Sequence, residues 1–238
     1  MKANILDLSL KEIERYLEGI GEKKFRAKQV FSWIYKGVGS FEEMTDISKD
    51  LRKKLEEYAE IKKLTIIKIQ TSGTDGTRKY LFGLEDGNSI ESVFMKYKFG
   101  NTVCISSQAG CRMGCSFCAS AINGLQRNLT AGEMADQILA IEKDTGERVG
   151  NIVVMGTGEP LDNYENLSKF INNINDEAGL NIGMRSITVS TCGLIPRMAD
   201  IASDFPQINV AVSLHASNDA IRNKLMPISR RFPMDELL

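Results

Sequence analysis

"CISSQAGCRMGCSFCAS", residues 104–120, holds four of the chain's five cysteines within fifteen positions. Three of them, Cys111, Cys115 and Cys118, are spaced C-x3-C-x2-C, and Cys104 stands seven residues before the first. Gly110 and Gly114 let the loop turn tightly between these thiols. Three readings compete. Structural zinc prefers four closed ligands, often as two paired sets, and Cys104, on a strand upstream, converges awkwardly with the others. Inert buried thiols are common, but three within eight positions on a glycine-rich loop are an improbable accident of packing. An iron–sulfur cluster gives the number three a meaning: four irons held by three cysteines leave one iron open for a substrate or cofactor.

The rest of the composition sets the context. At 238 residues, 42% hydrophobic and 26% charged, the chain can bury a sizeable core and is neither disordered nor fibrous in character. The opening "MKANILDLSLKEIERYLEG" is charged from the start and lacks the apolar region of a signal peptide. No apolar run reaches the length of a membrane span. These features predict a cytoplasmic protein with no membrane partner, where thiols stay reduced and clustered cysteines point to metal or redox chemistry. A net charge of −1 gives no bulk sign of a nucleic-acid partner. The first 63 residues are nearly balanced, 14 Lys and Arg against 12 Asp and Glu, as expected of solvated helix surfaces.

Outward from the cysteine loop the chain reads as three regimes. Residues 1–63 form a helical module. Ser9 caps a helix with Ile13 and Leu17 on one face; Ala27, Val30, Phe31 and Ile34 mark a second, ending near Gly37; Ser48 caps a third in which Leu51, Leu55, Tyr58 and Ala59 share a face. Residues 64–101 change period: "TIIKIQ", "RKYLFGL" and "SIESVFMKY" are strands separated by turns at Asp75-Gly76, Asp86-Gly87 and Gly100-Asn101, a small antiparallel sheet. Residues 102–238 alternate strands with helices. "TVCISS" leads through the cysteine loop to a helix with a capping box at Thr130 and Glu133. "NIVVMG", "SITVST" and "INVAVSLHA" precede helices beginning near Tyr164, Pro196 and Asn218. Four such units make an α/β architecture with reactive groups on the loops after the strands, but they do not close a barrel. The chain stops at "FPMDELL", where another helix begins, so the sequence is expected to be a C-terminally truncated piece.

C-x3-C-x2-C after the first strand of a βα array resembles the signature of radical S-adenosylmethionine (SAM) enzymes. The resemblance implies a partial (βα)6-type radical SAM barrel and two cofactors, a 4Fe-4S cluster on Cys111, Cys115 and Cys118 and SAM on the open iron. It implies that "GTGEP", residues 156–160, supplies Gly158 for close backbone approach and Glu159 for the methionine ammonium. Ser190 and the "SLH" of Ser213, Leu214 and His215 then hold the ribose and carboxylate; His215 is the only histidine.

The likeness is narrower than the superfamily. "RNLTAGEMADQIL", "VVMGTGEPLDNY", "STCGLIPRM" and "SLHASNDAIRNKLMPI", with the cysteine loop, are similar to the RlmN family of rRNA adenine-C2 methyltransferases along essentially the whole chain. The Cfr-type adenine-C8 methyltransferases share most of these motifs and are the alternative; a non-enzymatic metal-bearing RNA-binding module is the rival from another class. Membership implies 23S rRNA and tRNA as partners, with an electron donor such as flavodoxin or ferredoxin. It implies that the methyl group rides on a cysteine near the C-terminus, expected beyond Leu238. Cys104 then forms a transient disulfide with that cysteine, and Glu91 is the base that removes the adenine proton. Cys192 has no implied role and reads as packing.

Overall fold

The computed structural model describes residues 2–238. Its first layer is the helical segment. Strand β1 (Ala3–Asn4) pairs in parallel with β2 (Ala59–Glu60), and helices α1 (Leu10–Gly19), α2 (Arg26–Tyr35) and α3 (Lys49–Tyr58) lie between them in sequence. Ser9 and Glu12 form a reciprocal capping box at the start of α1, which spares two backbone N–H groups from being left unpaired. Ile13 and Leu17, then Ala27, Val30, Phe31 and Ile34, are buried as their spacing requires. In α3 the face is narrower than its periodicity suggests. Leu51 and Leu55 are buried but Tyr58 is 50% exposed, and buried Ala59 is already the first residue of β2.

The main sheet has seven strands in the order β11-β10-β9-β6-β5-β4-β3. Strands β3 (Thr65–Thr71), β4 (Arg78–Gly83), β5 (Ser89–Tyr97) and β6 (Gly100–Ile105) are joined antiparallel. Beyond β6 the pairing turns parallel through β9 (Asn151–Val154), β10 (Ile187–Thr191) and β11 (Asn209–Val212). The antiparallel strands therefore extend the parallel sheet rather than stand apart from it. β5 and β6 are joined by a turn at Lys98 and Phe99, one step earlier than its sequence signal suggests; Gly100 is already paired with Tyr97, at φ +128°.

Helices α4 (Ala131–Thr145), α5 (Tyr164–Asn175) and α6 (Ile195–Asp204) bring their apolar residues into the same core as the buried side chains of one sheet face, such as Phe94, Val103, Ile152 and Val189. Thr130 and Glu133 form the expected capping box on α4. Short helices α7 (Asp219–Leu225) and α8 (Met234–Leu237) follow β11. On the sheet's other face, Glu91, Val93 and Met95 of β5 align with Cys104 and Thr102 of β6, and with Asn151 and Val153 of β9.

The helical segment meets the α/β half at α4. The Gly132 N–H donates to Asp7 Oδ1 at 3.1 Å, and a Cβ at position 132 would sit 2.4 Å from that oxygen and 2.9 Å from the Leu6 carbonyl carbon. Backbone cannot retreat as a flexible side chain can. Gly132→Ala should therefore destabilise the protein by about 1–3 kcal/mol, the usual cost of overpacking, measured as a lower urea midpoint; an unchanged midpoint would show that this contact is loose.

Candidate active site

The cysteine loop is held at both ends. Strands β7 (Gln108–Gly110) and β8 (Leu125–Asn128) pair antiparallel and bracket it. Gly110 adopts φ +76°, and a Cβ there would lie 2.0 Å from the Gly124 carbonyl oxygen, which accepts the Cys111 N–H at 3.1 Å. Gly114 also has a positive φ, +70°. Inside the loop the Cys118 N–H donates to the Cys115 carbonyl at 3.1 Å, and the Ser116 N–H reaches Leu225 O on α7 at 2.9 Å. Arg112 anchors the loop to the next strand end by a two-pronged contact with Asp162, Nε to Oδ2 at 2.8 Å and Nη2 to Oδ1 at 2.5 Å.

All five cysteines are free thiols. Cys111, Cys115 and Cys118 line one cavity of about 150 Å³ together with Gly158, Glu159, Ser190, Cys192, Ser213 and His215. Every residue expected at the cofactor site except Leu214 is thus at one pocket, at the C-terminal ends of the parallel strands. Leu214 sits behind it, its carbonyl taken by Arg222 Nε at 3.2 Å. Among the described residues no three His, Cys, Asp or Glu side chains converge as for one metal ion; the loop thiols are spread around the cavity. The Phe117 ring meets His215 edge-on, with centroids 4.9 Å apart at 64°. His215 itself has φ +56°, an unusual backbone state for a side chain with a Cβ.

Glu159 is 4% exposed and has no basic partner within ion-pair range among the described residues. Its Oε2 accepts the Cys192 N–H at 2.8 Å, its Oε1 accepts the Leu161 N–H at 3.2 Å, and its own N–H donates to Gln108 Oε1 at 2.8 Å. Burial pushes its carboxyl pKa up, and these donors pull against that. Burial likewise pushes up the Cys192 thiol, beside the Glu159 carboxylate, and so keeps it protonated. Gln108 is fully buried and spends its amide on Asn128 Oδ1 at 2.8 Å and Asp162 Oδ2 at 3.0 Å. Gly158, at φ +108°, is pressed so close to Gln108 that a Cβ would come within 2.5 Å of it.

Glu91 and Cys104 lie outside this pocket. Val93 pairs with Cys104, so Glu91 is two residues along on the same face. Cys104 lines a neighbouring groove of about 590 Å³ with Val93, Met95 and Tyr97, and Met155 lines both the groove and the cysteine pocket. Burial pushes the Cys104 thiol up, only partly offset by the Met155 N–H. Glu91 Oε1 is 2.8 Å from Lys79 Nζ, and both side chains are about half exposed. The roles of several residues carried no signal in the sequence. Gln108, Asp162 and Arg222 all lie within quoted motifs, but their roles rest on contacts 20, 54 and 30 positions away that no motif announces.

With this geometry in hand, the comparisons are specific. Residues 105–234 match the radical SAM superfamily and residues 3–61 match the ribosomal RNA large subunit methyltransferase N-terminal domain. The fold and the three-thiol loop make this a radical SAM protein, whose cofactors are a 4Fe-4S cluster and SAM. A radical SAM methyltransferase from Sphaerobacter thermophilus superposes with a TM-score of 0.92 at 42% identity, covering 100% of this chain and 70% of that one. Two proteins named probable dual-specificity RNA methyltransferase RlmN match along 100% of the chain. The one from Desulforamulus reducens is 54% identical with 68% of its length covered, and the one from Alkaliphilus oremlandii 55% with 69%. The chain belongs to the RlmN family of radical SAM methyltransferases. Its donor set fits both cofactors: three soft thiols around a cavity, with a carboxylate, two hydroxyls and an imidazole on the facing wall.

Gly110→Ala should break the cysteine loop without unfolding the sheet. After anaerobic reconstitution, iron per chain should fall below about half that of the parent protein, with a far-UV spectrum unchanged. Full iron loading would mean that the loop tolerates the displaced Gly124 carbonyl.

Proposed function

We propose that this chain carries the radical SAM portion of a cytoplasmic enzyme that methylates C2 of an adenine in 23S rRNA, and in tRNA, through a methyl-cysteine intermediate. The observation that carries this reading is the shared sheet face. Cys104 and Glu91 lie one groove from the pocket of the three loop thiols, and Met155 borders both spaces. The names of the relatives, dual-specificity RNA methyltransferases, support RNA as the substrate class. The division into a helical module (1–63), an antiparallel extension (64–101) and a radical SAM half (102–238) belongs to the same proposal.

Within it, each residue has a physical task. Cys111, Cys115 and Cys118 hold the cluster as thiolates. When bound, the cluster and SAM supply a 5′-deoxyadenosyl radical and the methyl groups. Glu159 accepts one backbone N–H on each oxygen and lines the cavity, where its carboxylate takes the methionine ammonium. Gly158 keeps that wall thin. The hydroxyls of Ser190 and Ser213, 3.5 Å apart, and His215 take the ribose and carboxylate, and Leu214 contributes backbone. Phe117 closes one side against His215.

Glu91 removes the adenine proton, and Lys79 holds its carboxylate in place until RNA arrives. Cys104 releases the product by attacking the sulfur of the thioether that joins the methyl-carrying cysteine to the adenine: a transient disulfide forms as the S–C bond breaks, and the electron pair leaves with the product carbon, which takes up a proton. That carrier is none of the five thiols here: Cys111, Cys115 and Cys118 hold the cluster, Cys104 is the resolving thiol, and Cys192 is buried beside Glu159 on the wall of the same cavity. A one-electron donor such as flavodoxin or ferredoxin completes the set of partners.

Nucleoside mass spectrometry tests the reaction. The 238-residue chain, alone and extended by the C-terminal third of the Desulforamulus reducens relative, is incubated anaerobically with cofactors, reductant and a 23S rRNA fragment. The extended protein should yield 2-methyladenosine and the chain alone none. 8-Methyladenosine as the sole product would assign the C8 reaction instead, and turnover by the chain alone would put the carrier thiol among its five cysteines. Separately, Glu159→Gln should weaken SAM binding by about 1–3 kcal/mol, the scale of a hydrogen bond to a charged group, with iron content unchanged. Equal affinity in equilibrium dialysis would remove Glu159 from the cofactor site.

A further inference from the structure

Arg222 on α7 is fully buried, the largest of the fully buried side chains, yet no carboxylate lies within ion-pair distance of it among the described residues. Burying a guanidinium without a counter-charge costs several kcal/mol unless its donors are satisfied. Three carbonyl oxygens meet that need. Nη2 donates to Cys192 O at 2.7 Å and to Ser213 O at 3.5 Å, and Nε donates to Leu214 O at 3.2 Å. These carbonyls belong to the two loops that follow β10 and β11. Nη1 remains without a partner.

The same helix also touches the cysteine loop. Leu225, three residues after Arg222, accepts the Ser116 N–H, between Cys115 and Phe117. Met226, which caps α7, lines the cofactor cavity itself. Helix α7 is therefore pinned on one side to the loop that carries the thiols and on the other to the strand ends that carry Ser190, Ser213 and His215. A seven-residue helix has little stability of its own. Its placement depends on the groups that fasten it.

We propose that Arg222 is a positioning residue for SAM binding: by clasping the carbonyls of Cys192, Ser213 and Leu214 it sets the cofactor-binding wall at a fixed distance from the cysteine loop. Only the planar guanidinium fork can donate to both strand ends at once; an ammonium on a lysine stem reaches one acceptor set or the other. Arg222 is not among the residues that line the cavity. Its effect passes through the backbone of Ser213, Leu214 and His215 and, by way of Cys192, through the hydrogen bond that Cys192 gives Glu159. The inference rests on reading this cavity as the SAM site, not on the RNA substrate, so an assay without RNA separates the two.

The experiment compares Arg222→Lys and Arg222→Met with the parent chain after anaerobic reconstitution. It measures iron per chain, SAM affinity by equilibrium dialysis, and amide hydrogen exchange over residues 213–216 and over β9. The lysine variant should keep its iron, bind SAM about tenfold or more weakly, as for a lost charge-assisted contact, and exchange faster at 213–216 with β9 unchanged. SAM affinity within about twofold of the parent, a change worth less than 0.5 kcal/mol, in an iron-loaded lysine variant would overturn the proposal. So would loss of iron with faster exchange throughout the sheet in that variant, which would make Arg222 a support of the core. If Arg222→Met does not fold, the lysine variant alone decides.

Discussion

A buried carboxylate with no cation beside it must find hydrogen-bond donors or surrender its charge. Glu159 finds them in the backbone, and that requirement organises the top of the sheet. Its donors come from Cys192, after the next strand, and from Leu161, in its own turn. Its N–H in turn satisfies the buried amide of Gln108, which reaches on to Asn128 and Asp162. Asp162 fixes Arg112 and so the cysteine loop. The Cys192 carbonyl receives Arg222, which reaches the loop after β11. One polar chain thus ties together the C-terminal ends of four parallel strands. Glu159, Gln108 and Arg222 at its centre are buried, so breaking their bonds leaves a group unpaired in low dielectric, where the penalty exceeds the net worth of the bond; Arg112 and Asn128 end the chain at the surface.

A second polar knot fixes the strand that presents Cys104. Gln137 of α4 is fully buried: its Oε1 accepts from the Ser92 hydroxyl at 2.7 Å and the Ser106 N–H at 2.8 Å, and its amide donates to Ser106 O at 3.0 Å and Glu133 O at 3.2 Å. All of its hydrogen-bonding capacity on both amide atoms is in use. The Ser106 hydroxyl donates to Glu91 O at 2.7 Å and accepts the Thr157 N–H at 2.8 Å. The end of β6, the middle of β5 and the loop after β9 are therefore locked by one amide and one hydroxyl. Cys104 and Glu91 are presented on a rigid strand pair, while the loop cysteines sit on a segment fastened at its ends.

Much of this was legible in the chain because it is local. Ser9 is a single capping residue and Thr130 with Glu133 a four-residue pattern, and each caps the helix expected after it. The thiols at 111, 115 and 118 are an eight-residue pattern, and "GTGEP" follows an apolar run, so the loops after these strands could be read directly from the sequence. What stayed hidden is long-range. Arg222 sits in "IRNKL", within the helix expected from about Asn218, and only the fold reveals the carbonyls around it. Gln108 and Gln137 look like any polar residue until their partners 20 to 51 positions away are known. Tyr58 misled because the helical period carried one residue past the core. The junction of antiparallel and parallel strands carried no signal either, since β6 reads the same whichever neighbour it takes.

That junction is what places Glu91 and Cys104 on neighbouring strands of one face. Two parallel neighbours are separated by a crossover of a dozen residues or more, which frees their relative register. A hairpin with a two-residue turn does not. Gly100 facing Tyr97 sets Val93 opposite Cys104, and Glu91 follows two positions on, on the same face. The register is defended from the other side of the sheet. Ile90, Ser92 and Phe94 alternate with Glu91 and Val93 and are all buried against the helix layer. A one-residue slip of β5 would drive Glu91 into that core and expose Phe94, losing about 1.5–3 kcal/mol for the ring alone and burying an unpaired carboxylate besides. The hydrophobic face thus holds the face of Glu91 and Cys104 in register, and the spacing between this carboxylate and this thiol becomes a property of the core.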